Sequence, residues 1–286
     1  MPTAKGPSRT GNRFRLPSSS QCSKVCAAEV EQWLERLYIA AEGARLRNED
    51  RRKAREVAAL LDEIGRGISR FSRRSPIVLV DAAAGKSYVG LLAAKLVLDV
   101  SERRGRVITI ERNPAFVSAS RLAAERLESL TPIECRGGDV AEAAAWPEDA
   151  SIVAALHACG AAADSIIGRT IAVHARMLLL VPCCTSAAMT AAARAEKAAE
   201  RAGIPRHAPV RRRFIQAMVD AERTWRLEAA GYETEVVEFV PPTVTPHNLL
   251  WRARFVGEPR RMKAAEEALG RLAEGFSPCV PPADAL

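Results

Sequence analysis

Two periods organise the hydrophobic positions of this chain. Val30, Trp33, Leu34, Leu37 and Ala41 recur at helical spacing, as do Val57, Leu60, Leu61, Ile64 and Ile68, so two helices precede the first strand. From Ile77 onward, short apolar runs alternate with amphipathic or alanine-rich stretches. The runs predict strands near 77–81, 106–111, 132–136, 151–157 and 176–182. Five strands with four intervening helices imply an α/β fold with a parallel, doubly wound sheet. Gly203 and Pro205 stop a helix over 186–202, and another helix over 210–230 ends at Gly231. Residues 233–240 and 249–256 read as two strands joined by PPTVTPHN, an edge hairpin with one strand antiparallel to the rest. A last helix of mixed charge, 259–275, packs outside. The leading helix pair is expected to pack on the sheet edge, with the lidding of a pocket as the alternative.

The densest local signal is IVLVDAAAGKS, residues 77–87. An apolar strand ends on Asp81 and turns directly into a helix, so the turn needs small residues. Ala82, Ala83, Ala84 and Gly85 supply them. The next strand also ends on an acid, Glu111, whose carboxylate can accept from both hydroxyls of a ribose. A phosphate loop would need glycine at position 80, where Val80 stands, and a dehydrogenase fingerprint keeps only Gly85. Small residues without a glycine-rich pyrophosphate cradle suit a ribose-bearing cofactor that lacks phosphates. S-adenosylmethionine is such a cofactor.

Composition narrows the class. No apolar run approaches the roughly 18–20 residues of a membrane span, and the arginine-rich start lacks the apolar stretch of a signal peptide. A cytoplasmic enzyme without membrane contact is expected. Seven irregularly spaced cysteines argue against a secreted disulfide framework. The net charge of +8 is uneven: residues 1–76 hold 16 basic against 9 acidic side chains, and residues 77–200 hold 13 against 14. A basic flank beside a neutral core suits a protein that collects phosphates, and a solvated tail explains the excess equally well.

Open parallel sheets bind ligands at the carboxyl ends of their strands. The third strand ends in Gly137-Gly138-Asp139, where Asp139 either accepts from an adenine amino group or is simply the N-cap of a helix that starts there. The fourth ends in Leu156-His157-Ala158-Cys159-Gly160, followed by Asp164, and the fifth in Pro182-Cys183-Cys184. If these strands are neighbours, one histidine and three cysteines converge. No C-x-x-C frames a metal, so none is expected; the cysteines are read as small apolar packers with His157 facing the pocket as base or orienter.

With those residues in hand, the sequence resembles a family of class I S-adenosylmethionine-dependent methyltransferases with D-x-G-A-G-K-G-Y, L-H-A-C-G-x-x-x-D and V-P-C-C motifs. The matching stretches are Asp81 to Tyr88, Leu156 to Gly160 with Asp164, and Val181 to Cys184. Ala83 stands where the family has its first glycine and Ser87 where it has a later one. It is similar, more distantly, to tRNA acceptor-stem ribose methyltransferases. The resemblance implies a Rossmann-like, seven-stranded, mostly parallel sheet with an added amino-terminal helix pair. The chain then divides into a disordered basic tail (1–22), a helical extension (23–74), the methyltransferase domain (75–257) and a carboxyl-terminal helix with tail (258–286). It further implies that Asp81, Ala83 and Gly85 face the methionine end of S-adenosylmethionine, Glu111 the ribose and Asp139 the adenine. His157 and Asp164 fall on the acceptor side as catalytic candidates.

RNA is the first acceptor expected, held by the basic amino-terminal region and by Arg211, Arg212 and Arg213. A protein or small-molecule acceptor is the second reading. A non-catalytic RNA- or protein-binding module on a degenerate methyltransferase fold is the third.

Overall fold

The computed structural model describes residues 24–39, 43, 45–186 and 189–274. The expected tail at 1–22, and Ala41, lie outside them. Seven strands form one sheet: β1 (Ile77–Ala82), β2 (Gly105–Glu111), β3 (Ile133–Gly137), β4 (Ile152–Ala158), β5 (Met177–Pro182), β6 (Tyr232–Glu238) and β7 (Leu249–Phe255). Their order is β3-β2-β1-β4-β5-β7-β6. The first five are parallel, and β7 runs antiparallel to both β5 and β6, which is the expected hairpin at the edge.

The central strands are buried along their length, and successive side chains alternate between two cores, one on each face. Ile77, Leu79, Ile152, Ala154 and Leu179 point to one face, where they meet α1 (Ala27–Leu34), α2 (Asn48–Ser69) and α3 (Tyr88–Ala93). Val78, Val80, Val153, Ala155 and Leu180 point to the other. There they pack under α5 (Ala161–Ala172) and α7 (Ala208–Ala229). Between these helices come α4 (Pro114–Leu127) and α6 (Thr190–Arg201); α8 (Pro259–Glu274) buries Ala265 and Ala268 and lies on α7. No described helix is long and apolar enough to cross a membrane.

The leading helix pair differs from expectation in its place. α2 lies across a sheet face rather than along the edge, because Ala54, Val57, Leu61, Ile64 and Ile68 make one continuous apolar stripe. Its far end comes so close that a β-carbon on Gly67 would sit 2.5 Å from Met177 Sδ. A side chain there would have to push the end of the flexible Met177 side chain aside. α1 continues into a π turn, Glu35–Ile39, which carries the buried Tyr38 over the turn between β1 and α3.

Candidate active site at the carboxyl ends of the strands

The turn after β1 is held by two carboxylates. Asp81 is 2% exposed, and its Oδ2 accepts the Gly90 amide at 2.7 Å. Gly90 has to be bare, since an added β-carbon would lie 2.8 Å from Thr109 Cγ2 and 3.0 Å from Asp81 Cβ. Burial, opposed by the Gly90 hydrogen bond and helped by the nearby Glu111 charge, pushes the Asp81 pKa up to about 7. Asp81 therefore sits beneath the turn and fixes the start of α3 rather than lining the open surface.

Glu111, at the tip of β2, accepts the Gly85 amide on Oε2 and the Asn113 amide on Oε1, both at 2.8 Å. A carboxylate offers about four lone-pair sites, so two remain for a ligand. A β-carbon on Gly85 would meet nothing within 4 Å, so the space over this turn is open.

Ala83, Gly85 and Ser87 all take left-handed backbone, with φ of 54°, 57° and 58°. The two positions where this chain replaces a glycine of the resembled family thus need the conformation that glycine adopts most readily. Ser87 is fully buried, its hydroxyl 2.9 Å from that of Ser120. Tyr38 closes the arrangement by donating its hydroxyl to the Lys86 carbonyl at 2.6 Å and meeting Tyr88 edge to face. Burial raises the Tyr38 pKa, so the hydroxyl keeps its proton for that bond.

Asp139 follows β3 and accepts the Ala141 amide at 2.9 Å within a turn; it is not the expected helix N-cap, because the short helix that follows, Ala143–Ala145, has Glu142 in that place.

Across the sheet, His157 sits at an irregularity in the pairing of β4 with β5 and has φ of 62°. Its Nε2 lies 3.0 Å from Oε2 of Glu56, a buried carboxylate on α2 that also contacts Lys53 at 3.1 Å. Burial alone would raise the Glu56 pKa; the His157 hydrogen bond and the Lys53 charge outweigh it and leave the carboxyl below its ordinary range. A strained non-glycine residue at a strand tip, gripped by a buried acid, has the marks of a functional position.

The cysteines do converge there, with the sulfurs of Cys159, Cys183 and Cys184 all within 4.8 Å of one another. They are not the buried packers expected: Cys159 and Cys184 are exposed, and Cys159 forms a disulfide with Cys183. The loops after β4 and β5 run along the surface, so little apolar material covers the sulfurs.

Asp164 turns toward α7. Its Oδ1 accepts from Arg223 Nε at 2.9 Å, and Arg226 lies 3.8 Å away. Arg223 is 1% exposed and also reaches the Gly160 carbonyl and Asp220. Burial raises the Asp220 pKa against the pull of Gln216 and Arg223. The carboxylate named as a catalytic candidate thus ties α7 to the end of β4. Of the basic triplet, Arg211 is engaged by Glu196 and the Ile204 carbonyl, whereas Arg212 and Arg213 are exposed.

Sequence reasoning missed Glu56, Tyr38 and Arg223. Each acts on a residue far along the chain, out of reach of local spacing.

A seven-stranded sheet with its small-residue turn and ribose-sized acid at adjacent strand ends defines a Rossmann-like ligand-binding protein. Residues 52–191, just under half of the chain, match the family described as "Methyltransferase domain". No curated protein gives a significant match to the sequence. Among solved structures, the CMeT domain of the citrinin polyketide synthase is similar over 73% of this chain at 9% identity, with a TM-score of 0.47. This chain spans about half of that one, 54%. The SAH-bound methyltransferase of Podospora anserina is similar over 80% of this chain and 87% of its own, at 11% identity and a TM-score of 0.46. The fibrillarin pre-rRNA processing protein of Methanococcus jannaschii matches over 71% and 75%, at 16% identity and a TM-score of 0.41. The fold rests on the strand order, and the likeness to methyltransferases on the matched segment.

Proposed function

We propose that this chain is an S-adenosylmethionine-dependent methyltransferase that binds its cofactor across the ends of β1 and β2 and takes an RNA acceptor beside His157. The observation that carries the reading is Glu111. Its two oxygens are aimed by the Gly85 and Asn113 amides, its spare lone pairs suit two vicinal hydroxyls, and the turn beside it is open. The bound cofactor supplies a sulfonium methyl already activated for transfer. The protein then has to align the acceptor and remove one proton.

His157 fits that second task. With Nε2 turned to Glu56, its other nitrogen is the one left to take a proton from the acceptor, as in other carboxylate-oriented imidazoles. The acceptor reading draws on charge. Arg51, Arg52, Lys53 and Arg55 cluster on the half of α2 that carries Glu56, with Arg212 and Arg213 exposed at the start of α7.

Titration with S-adenosylmethionine by calorimetry tests the cofactor. Glu111→Ala is expected to weaken binding about 100-fold, roughly 2.7 kcal/mol, and unchanged affinity would sink the assignment. Binding to bulk tRNA should fall more than about tenfold between 50 and 200 mM salt, and indifference to tRNA at low salt would remove RNA as acceptor. No measurable cofactor binding by the wild type would favour the non-catalytic reading.

A further inference from the structure

We propose that Cys159, Cys183 and Cys184 form a reversible dithiol–disulfide centre that exchanges with low-molecular-weight thiols and disulfides. The bridge joins the loops after β4 and β5, with Cα atoms 5.4 Å apart, inside the usual span for such a link. It is not sealed in a core: Cys159 is exposed and Cys183 half-buried. A third sulfur, that of the exposed Cys184, lies within 4.8 Å of both.

Each step balances. A small thiolate attacks the Cys159 sulfur, forming a mixed disulfide while the Cys159–Cys183 bond breaks and Cys183 leaves as thiolate. A second small thiol then attacks its own kind on that mixed disulfide, releasing the small disulfide and the Cys159 thiolate. Two small thiols are oxidised and one protein bridge is reduced; the reverse sequence consumes a small disulfide. Cys184 adds an internal route. Its thiolate attacks Cys159, a Cys159–Cys184 bond forms, and Cys183 departs with the electron pair.

The centre also touches the site beside it. Sγ of Cys159 and of Cys183 lie 3.4 and 3.6 Å from the carbonyl oxygen of His157, so opening the bridge gives these sulfurs protons to donate to that oxygen and changes the contacts of a residue held at positive φ. That consequence rests on the function proposed above; the exchange chemistry does not.

Full-length chain equilibrated across glutathione buffers of stepped redox ratio, alkylated with paired isotopic reagents and mapped by mass spectrometry, tests the centre. Cys159 and Cys183 should become protected together as the glutathione disulfide fraction rises, and Cys183→Ser should move the link to Cys159–Cys184. Thermal melts of each variant establish that it is folded. Three results overturn the proposal: both cysteines staying alkylatable in the most oxidising buffer, a bridge that reduced glutathione never opens, or a stoichiometric metal bound to the reduced trio that blocks exchange. Calorimetry with S-adenosylmethionine on the same samples separates the two readings. Exchange without cofactor binding leaves the centre standing and removes the methyltransferase, and cofactor binding without exchange does the reverse.

Discussion

The ends of β1 and β2 and the ends of β4 and β5 face the same side of one sheet, yet they are built by different means. At β1 and β2, carboxylates take backbone amides, Asp81 from Gly90 and Glu111 from Gly85 and Asn113, and Tyr38 reaches in from the leading helices to the Lys86 carbonyl. At β4 and β5, side chains are held by other side chains from remote helices: His157 by Glu56, 101 residues away, and Asp164 by Arg223, 59 residues away. The first half rests mainly on backbone amides of its own strand-end turns. The second half is only as well placed as the packing of α2 and α7 on opposite faces.

If that contrast holds, the largest loss should follow from cutting the long-range half. Arg223→Met leaves Asp164 and Asp220 facing each other without their buried cation, and should cost about 3–5 kcal/mol in urea unfolding. A loss below about 1 kcal/mol would mean the pair behaves like a surface contact and the contrast fails. Glu56→Gln should keep the fold and lower turnover about tenfold, about 1.4 kcal/mol of barrier, with cofactor affinity unchanged. Equal losses in both would make Glu56 a packing residue.

The local half is open to gentler probes. A carboxyl with a native pKa above its unfolded value binds its proton more tightly when folded, so it costs stability as pH rises between the two values. For Asp81 that window runs from its ordinary 3.8 to about 7. Asp81→Asn should match the wild type in Tm near pH 4 and exceed it by a few degrees at pH 8; a pH-independent difference would show that burial does not govern the group. Smallest of all, Ala83→Gly trades left-handed strain for unfolded-state freedom and should gain up to about 1 kcal/mol. A fall in Tm would show that the Ala83 methyl is packed to advantage.

Legibility followed the same division. The strands could be read because short apolar runs rich in β-branched residues, such as Ile77-Val78-Leu79-Val80, stand between helical stretches, and the turn because its small residues sit beside two strand-end acids. The convergence of His157 with the cysteines followed from strand adjacency alone. What a carboxylate or guanidinium grips across the fold leaves no trace in local spacing: Glu56 reads as one more charge in a helix, and Arg223 as one more in an arginine-rich segment. Exposure of the cysteines was missed for a related reason, since residue type favours burial and only the course of the loops decides it.

The helix α2 spans the sheet from Glu56, under the tip of β4, to Gly67, pressed on the beginnings of β4 and β5. A chain begun at Ile77 would keep every motif that names its family resemblance and still lack one wall of its core. Recombination or gene fusion could therefore carry this sheet into a new protein only with its two leading helices attached.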